Sequence, residues 1–290
     1  MTTSAASLVE RVRDLTNSYG DLSTELAVEV SSSSATTFTL ESSEGFKAKN
    51  WAEVDWESVE ITDVNTSTEV ITVRRGSRGT TAATHAQGAV VRFNPPYTGK
   101  RILDALNTAL SSAYPQLYTL VTDENLSVVA DQYVYDLPAG MDSLYRVEIE
   151  NVDLGGEYFI IRTWDMYDSD SLRIYGDYPE GRAIRLVGTG RFTAMTTTGN
   201  LDSDYPETEV ALSYLVYKAS AMLLKERQAQ LGVRDAFVGM TDTFSSTQPF
   251  ASGLSAREMD TLAEDMLRQA RMQPPDYFVP LPTRRYLARD

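Results

Sequence analysis

This 290-residue chain has no cysteine and a single histidine. Without cysteine there are no disulfides and no thiolate metal sites, and one histidine cannot build a multi-histidine centre. A carboxylate-only Mg²⁺ or Ca²⁺ site would need a loop such as D-x-D-x-D-G, and none occurs. No apolar run approaches the roughly 20 residues that cross a bilayer. The opening MTTSAASLVERVRD has no basic region leading into an apolar one, so no signal peptide is expected, and a soluble protein made in a cytoplasm is.

Acidic residues are plentiful: the net charge is −15, spread unevenly. Residues 1–73 carry 4 basic and 13 acidic side chains, residues 74–100 carry 5 basic and none acidic, and residues 123–210 carry 6 and 18. Affinity for duplex DNA rests on cations that neutralise phosphates, so such a chain should repel DNA. Solubility alone accounts for this charge; a surface past which DNA slides is the sharper reading.

Apolar spacing predicts a helix over Ser7 to Tyr19, with Leu8, Val9, Val12 and Leu15 on one face and Gly20 as its C-cap. Five short runs rich in Val, Thr, Ile and Phe follow at 25–30, 36–40, 58–62, 69–73 and 89–93, and read as the strands of a compact β module. Asn94-Pro95-Pro96 ends it. A helical stripe runs from Thr98 to Tyr118, with Pro115 ending or bending it. Further strands are expected at 132–137, 145–149, 158–162, 172–175 and 184–187, then helices over 206–229 and 255–272, the last opened by a Ser255/Glu258 capping box. The expected fold is therefore α+β: a helical core of about four helices with an inserted small all-β module, a second strand-rich segment and an extended C-terminal arm. Its segments are 1–22, an N-terminal core helix; 23–96, the β module; 97–272, the core with its strands at 127–194; and 273–290, the arm.

The stretch RRGSRGTTAATHAQGAVVRF, from Arg74 to Phe93, holds the chain's one histidine and looks like an active-site loop. It matches neither phosphate-binding glycine pattern and no helix follows it, so its glycines most simply supply turns with positive φ. The reading is a strand ending at Val73, a glycine-rich turn, a connection and a returning strand. His85 more often caps a turn than catalyses in such a setting. No G-x-S-x-G elbow exists, and acid pairs such as Asp202 and Asp204, or Asp168 and Asp170, sit in polar loops. No enzyme and no cofactor is expected. A glycan-binding or hydrolytic module using Tyr158, Trp164, Tyr167, Tyr175 and Tyr178 is the remaining reading from that class.

Residues 73–91 resemble a segment recurrent in structural proteins of tailed bacteriophages: a strand into R-G-x-x-G-T, an alanine-rich stretch with H-A-x-G-A, and another strand. Arg75, Gly76, Gly79, Thr80, His85, Gly88 and Ala89 occupy the matching positions. The resemblance implies a β module of necks, tails or baseplates and a folding role for these residues. Residues 98–230 are similar, at the level of pattern, to phage head-to-tail adaptors. These have a helix ending near Tyr-Pro (here Ile102 to Pro115), strands around Tyr135 to Pro138 and Arg146 to Ile149, and a long alanine-rich helix (here Val210 to Arg227). That resemblance implies a non-enzymatic ring of about twelve subunits. It would sit beneath the portal protein in the virion neck, bind the next neck or tail protein, and line an acidic channel that DNA traverses unbound. Assembly would take place in the host cytoplasm, without a membrane. A tail or baseplate protein with the same module is the alternative.

The chain from Gln273 to Asp290 carries four prolines yet is too apolar for an idle tail. Tyr277, Phe278, Val279, Leu281, Arg284, Arg285, Tyr286 and Leu287 are the candidate residues for binding a portal or a neighbour. Packing back on its own domain is the other expectation.

Overall fold

A computed structural model describes residues 2–20, 22–151, 155–238 and 254–273. Helix α1 (Ala5–Thr16) buries Leu8, Val9 and Val12, as their spacing requires. Ser4 caps its first turn by accepting from the Ser7 N–H, and Asn17 closes it in the left-handed conformation (φ 50°). The expected cap, Gly20, lies beyond the helix, where its φ of +94° lets the backbone pass close to the Phe93 carbonyl.

The module that follows has six strands, not five: β1 (Leu22–Glu25), β2 (Thr37–Thr39), β3 (Trp51–Val54), β4 (Glu57–Asn65), β5 (Val70–Ser77) and β6 (Val90–Phe93). They form one antiparallel sheet in the order β1-β6-β3-β4-β5-β2. The sheet curls until its edges meet. Just beyond β1 and β2, Leu26 bridges Leu40, with Ala27 N–H donating to the Thr39 carbonyl at 2.9 Å and Glu41 N–H to the Glu25 carbonyl at 2.9 Å. Joined edges leave little unpaired backbone for foreign strands. Leu26, Phe38, Phe46, Ile61, Ile71 and Phe93 fill the interior.

Helix α2 (Gly99–Ser112) follows and stops three residues before Pro115. Seven strands come next: β7 (Thr119–Ser127), β8 (Val134–Asp136), β9 (Ser143–Asn151), β10 (Glu157–Ile161), β11 (Trp164–Met166), β12 (Ser171–Ile174) and β13 (Ala183–Gly190). They make two antiparallel sheets, β10-β9-β13-β7 and β11-β12-β8. Val147, Ile149, Ile184 and Leu186 of the larger sheet share one core with Tyr135, Trp164, Leu172 and Ile174 of the smaller. The chain closes with α3 (Glu209–Val238) and α4 (Ala256–Ala270). The capping box forms as expected: Ser255 N–H donates to Glu258 Oε2 at 2.7 Å and Glu258 N–H to Ser255 Oγ at 3.3 Å.

The expected helical core with a small β module is overturned. Among the described residues thirteen strands in three sheets stand against four helices. The described residues gather into two compact units, one drawn from 1–112 and 194–270, the other from 113–193 and 271–273. The six-stranded sheet belongs with all four helices, while the two smaller sheets make a core of strands alone. Long-range pairing explains the error: β7 meets β13 through Thr119 and Gly190, about seventy residues apart, and local periodicity carries no trace of such a partnership.

Candidate functional site

Local sequence explains why the segment 74–93 is shaped as it is. Strand β5 does not end at Val73; it continues to Ser77. Its register against β4 shifts between the pairs Ser58–Ser77 and Glu60–Arg74, so Arg75 and Gly76 form a bulge. Gly76 takes φ 60° there, which a side chain would resist. The bulge aims the Gly76 N–H at Glu57 Oε1, 2.9 Å away.

Glu57 is the centre of the site. Its side chain is 1% exposed. Arg75 grips it with both prongs of its fork, Nε to Oε1 at 2.7 Å and Nη2 to Oε2 at 2.6 Å. Ala83 N–H donates to Oε2 at 3.1 Å, and His85 Nε2 lies 2.9 Å from the same oxygen. The other imidazole nitrogen, Nδ1, lies 2.7 Å from Asp55 Oδ2. Arg75 Nη1 also donates to the Ala35 carbonyl at 2.8 Å, and its guanidinium covers the Phe38 ring at 4.9 Å.

Electrostatics follow from this geometry. Burial opposes a charge on Glu57, but the donors from Arg75, His85, Gly76 and Ala83 outweigh it and hold the carboxyl well below the usual range. Burial likewise disfavours a charged His85, yet hydrogen bonds to Asp55 and Glu57 raise its pKa above the ordinary 6.5. Carboxylates only accept, so an imidazole between two of them donates from both nitrogens and is cationic. Two cations thus face two anions. A protonated imidazole is no general base, and a carboxylate with this many donors has no lone pair left for a substrate. What this cluster can do chemically is hold four chain segments together.

The remaining signature residues serve the same end. Thr80 donates its hydroxyl to the Ser77 carbonyl at 2.7 Å and accepts from the Ser58 N–H at 3.0 Å, extending the β4–β5 pairing past the strand. Gly79 turns the chain at φ 76°, with open space around it. Gly88 N–H donates to the Leu26 carbonyl at 2.8 Å, and His85 exchanges backbone hydrogen bonds with Val30 at 2.8 and 3.0 Å. The basic stretch pairs within its own chain: Arg74 with Glu60, Arg75 with Glu57, Arg92 with Glu10 and Lys100 with Asp104.

A second buried ion pair fastens the sheet to the helices. Arg13 Nη2 donates to Glu53 Oε2 at 2.8 Å, with both side chains 1% exposed. Arg13 Nη1 reaches the Ser18 carbonyl at 2.9 Å, and Glu53 accepts the Gly99 N–H at the start of α2. Burial pushes the Glu53 carboxyl up, against the pull of Arg13 and Gly99.

Sequence reasoning gathered Arg75, Gly76, Gly79, Thr80 and His85 but missed Asp55, Glu57, Arg13 and Glu53. The available signal was the charge imbalance: an acidic 1–73 beside a basic 74–100 invites pairing between them. The aromatic residues named for a glycan site make the following contacts. Trp164 is in the core, Arg173 stacks on Tyr167 at 4.4 Å with Tyr175 at 6.0 Å, Tyr158 lies under Arg185 at 3.5 Å, and Tyr178 lines a cleft. The arm candidates from Tyr277 to Leu287 lie outside the described residues. Among the described residues no group of three His, Asp or Glu is placed to hold a metal ion, and no helix is long and apolar enough to cross a membrane.

The cluster should shape the pH profile of stability. Glu57's contribution is full above its ordinary 4.5 and lost as pH falls through its depressed folded value. His85's is full below 6.5 and lost as pH rises through its raised folded value. Thermal melts should thus place the barrel's best stability between these limits, and His85→Asn should flatten the alkaline decline. A decline that persists unchanged in His85→Asn would remove His85 as its cause.

No family model matches the chain, and neither a curated protein nor a solved structure is significantly similar to it.

Proposed function

We propose that this chain is a structural protein of a tailed-phage virion, a head-to-tail adaptor that binds the portal and presents a platform to the next neck or tail protein. The observation that carries the reading is the segment 73–91. It resembles a virion β-module signature, and its Arg75, Gly76, Thr80 and His85 are all spent on holding strands together. A scaffold role needs that and nothing catalytic. The order α2, seven strands, α3 agrees with the adaptor pattern. So does the net charge of −15, since acidic subunits repeated around a ring would repel the phosphates of a passing genome.

Copies of the chain would form a ring with interfaces of more than roughly 2,000 Å² each, the scale of permanent assemblies. Portal docking would concentrate in a few anchors of the arm, with Tyr277, Phe278, Arg284, Arg285 and Tyr286 foremost. Truncation after Met272 should leave a folded chain that no longer co-sediments with portal complexes; equal co-sedimentation by the truncated and full chains would end the arm's role. A tail or baseplate protein is the second reading, favoured by the occurrence of the same signature at those stations. It predicts binding to tail proteins and none to the portal.

A further inference from the structure

The strand-only unit is open at one end of its two sheets. Between them lies a cleft of about 270 Å³. Its floor is buried and apolar, made by Ile149 and Ile184 of the larger sheet and Ile174 of the smaller. Tyr133 and Tyr178 wall it, and the exposed Asp131, Asp177 and Glu180 rim it. These residues come from two neighbouring turns, one between β7 and β8 and the other between β12 and β13.

The mouth is held in shape. Gly181 N–H donates to the Val128 carbonyl at 2.8 Å and ties one turn to the other. The Tyr135 hydroxyl donates to the Gln132 carbonyl at 3.1 Å and accepts from the Val129 N–H at 3.3 Å. It thereby braces the turn in which Asp131 takes a left-handed φ of 60°. Gly176 makes room for the Tyr178 ring, since a Cβ there would lie 2.8 Å from it. A site shaped in advance loses little freedom when it binds.

Charge decides what such a site takes. No arginine or lysine lines the cleft, and among the described residues none of its three acids pairs with a cation. Residues 113–193 hold fourteen acidic and six basic side chains, a balance of −8, so the surrounding field draws cations in. Tyrosine faces attract cations as well. A guanidinium suits both features better than an ammonium, because it stacks flat on rings and forks toward carboxylates. The volume falls short of what a drug-sized ligand fills, which favours one side chain. At the mouth Tyr133 is 54% exposed and Val129 44%. A polypeptide carrying the arginine would cover this apolar surface, and a free cation would leave it bare.

We propose that the cleft receives one arginine side chain of a partner protein. Its guanidinium lies against Tyr133 and Tyr178 and faces Asp131, Asp177 and Glu180, and apolar neighbours of that arginine cover Val129. Arginine is among the commonest anchors of protein interfaces. The inference stands apart from the adaptor reading: its test needs no portal, and either can fail while the other holds.

The test titrates N-acetyl-arginine amide into the full chain with its tyrosine rings labelled for NMR, Tyr133→Phe and Tyr178→Phe identifying the two signals. Both should shift saturably with a Kd of about 10 mM or lower. N-acetyl-citrulline amide, alike in shape but uncharged, should bind at least about tenfold more weakly. A tripeptide with leucine on each side of the arginine should bind at least about threefold more tightly than the blocked arginine. Asp131→Asn/Asp177→Asn/Glu180→Gln should weaken binding about tenfold or more, and salt should weaken it in the parent chain. Should that variant misfold, Tyr133→Ala, at an exposed position, should lose most of the binding. No shift at either ring, equal binding of arginine and citrulline, or binding unchanged by these variants overturns the site. A tripeptide no tighter than the blocked arginine overturns the partner protein and leaves a free cation as the ligand. A neutral disaccharide that binds more tightly than the blocked arginine also overturns the proposal, since the cleft would then be a glycan site.

Discussion

Glu57→Gln should destabilise the unit containing the six-stranded barrel by about 3–5 kcal/mol, the usual cost of stranding a buried charge by removing its partner. Glutamine nearly matches glutamate in shape, so the loss is chemical. One carboxylate oxygen becomes an amide that only donates, and in either orientation it must face donors: Arg75 and the Gly76 N–H at one position, Arg75, His85 and the Ala83 N–H at the other. His85 would keep only the half-exposed Asp55 as its anion, Arg75 would lose its carboxylate partner, and the Gly76 or Ala83 N–H would lose its acceptor. Contrast this with Glu60, whose partner Arg74 is 69% exposed. Solvent screens such a pair, so Glu60→Gln should cost less than about 1 kcal/mol. Urea unfolding followed by Trp51 and Trp56 fluorescence in a Trp164→Phe background compares the two. Equal midpoints for Glu57→Gln and Glu60→Gln would show that the buried network contributes no more than the surface pair.

Arg13→Met should have an effect of similar size at neutral pH, about 3–5 kcal/mol, with a different dependence on pH. The change keeps volume but leaves Glu53 buried against the Gly99 N–H alone. Burial already pushes that carboxyl up with Arg13 present, and without the guanidinium it rises further. A carboxyl with a raised folded pKa contributes stability at low pH that is lost as pH rises through the folded value. The variant should therefore approach the parent as pH falls through the acid range and diverge from it toward neutrality. Adding Glu53→Leu should recover much of the loss, because a well-packed apolar pair can replace a buried ion pair at little cost. Melts that show Arg13→Met equally destabilised at all pH values would mean that lost packing, not the stranded carboxylate, is responsible.

How much of this was legible beforehand varies with the range of the interaction involved. Helix α1 and the Ser255/Glu258 cap depend on neighbours within a few residues, and both were readable from spacing. Strand β3 was not, because Trp51-Ala-Glu-Val54 shows no alternation: Ala52, Glu53 and Val54 are all buried, one face on the barrel interior and the other, through Glu53, on Arg13. Strand β7, TLVTDENLS, was hidden by its polarity; it lies at a sheet edge and buries little. The signature residues were identifiable as a set, since Gly76, Gly79 and Gly88 all adopt the positive φ that glycine suggests. Their common acceptor was not. Glu57 is one of thirteen acids in residues 1–73, and nothing local to it marks it as the one that folding buries.

The adaptor reading is most directly tested by mass photometry of the full chain, alone and mixed with portal complexes of the same virus. It predicts a portal-bound species heavier by about twelve copies of the chain, one ring, even if the free protein is a monomer. A portal peak that does not move at saturating protein would contradict it, leave the tail or baseplate reading in its place, and remove the reason to connect the acidic charge with a DNA channel.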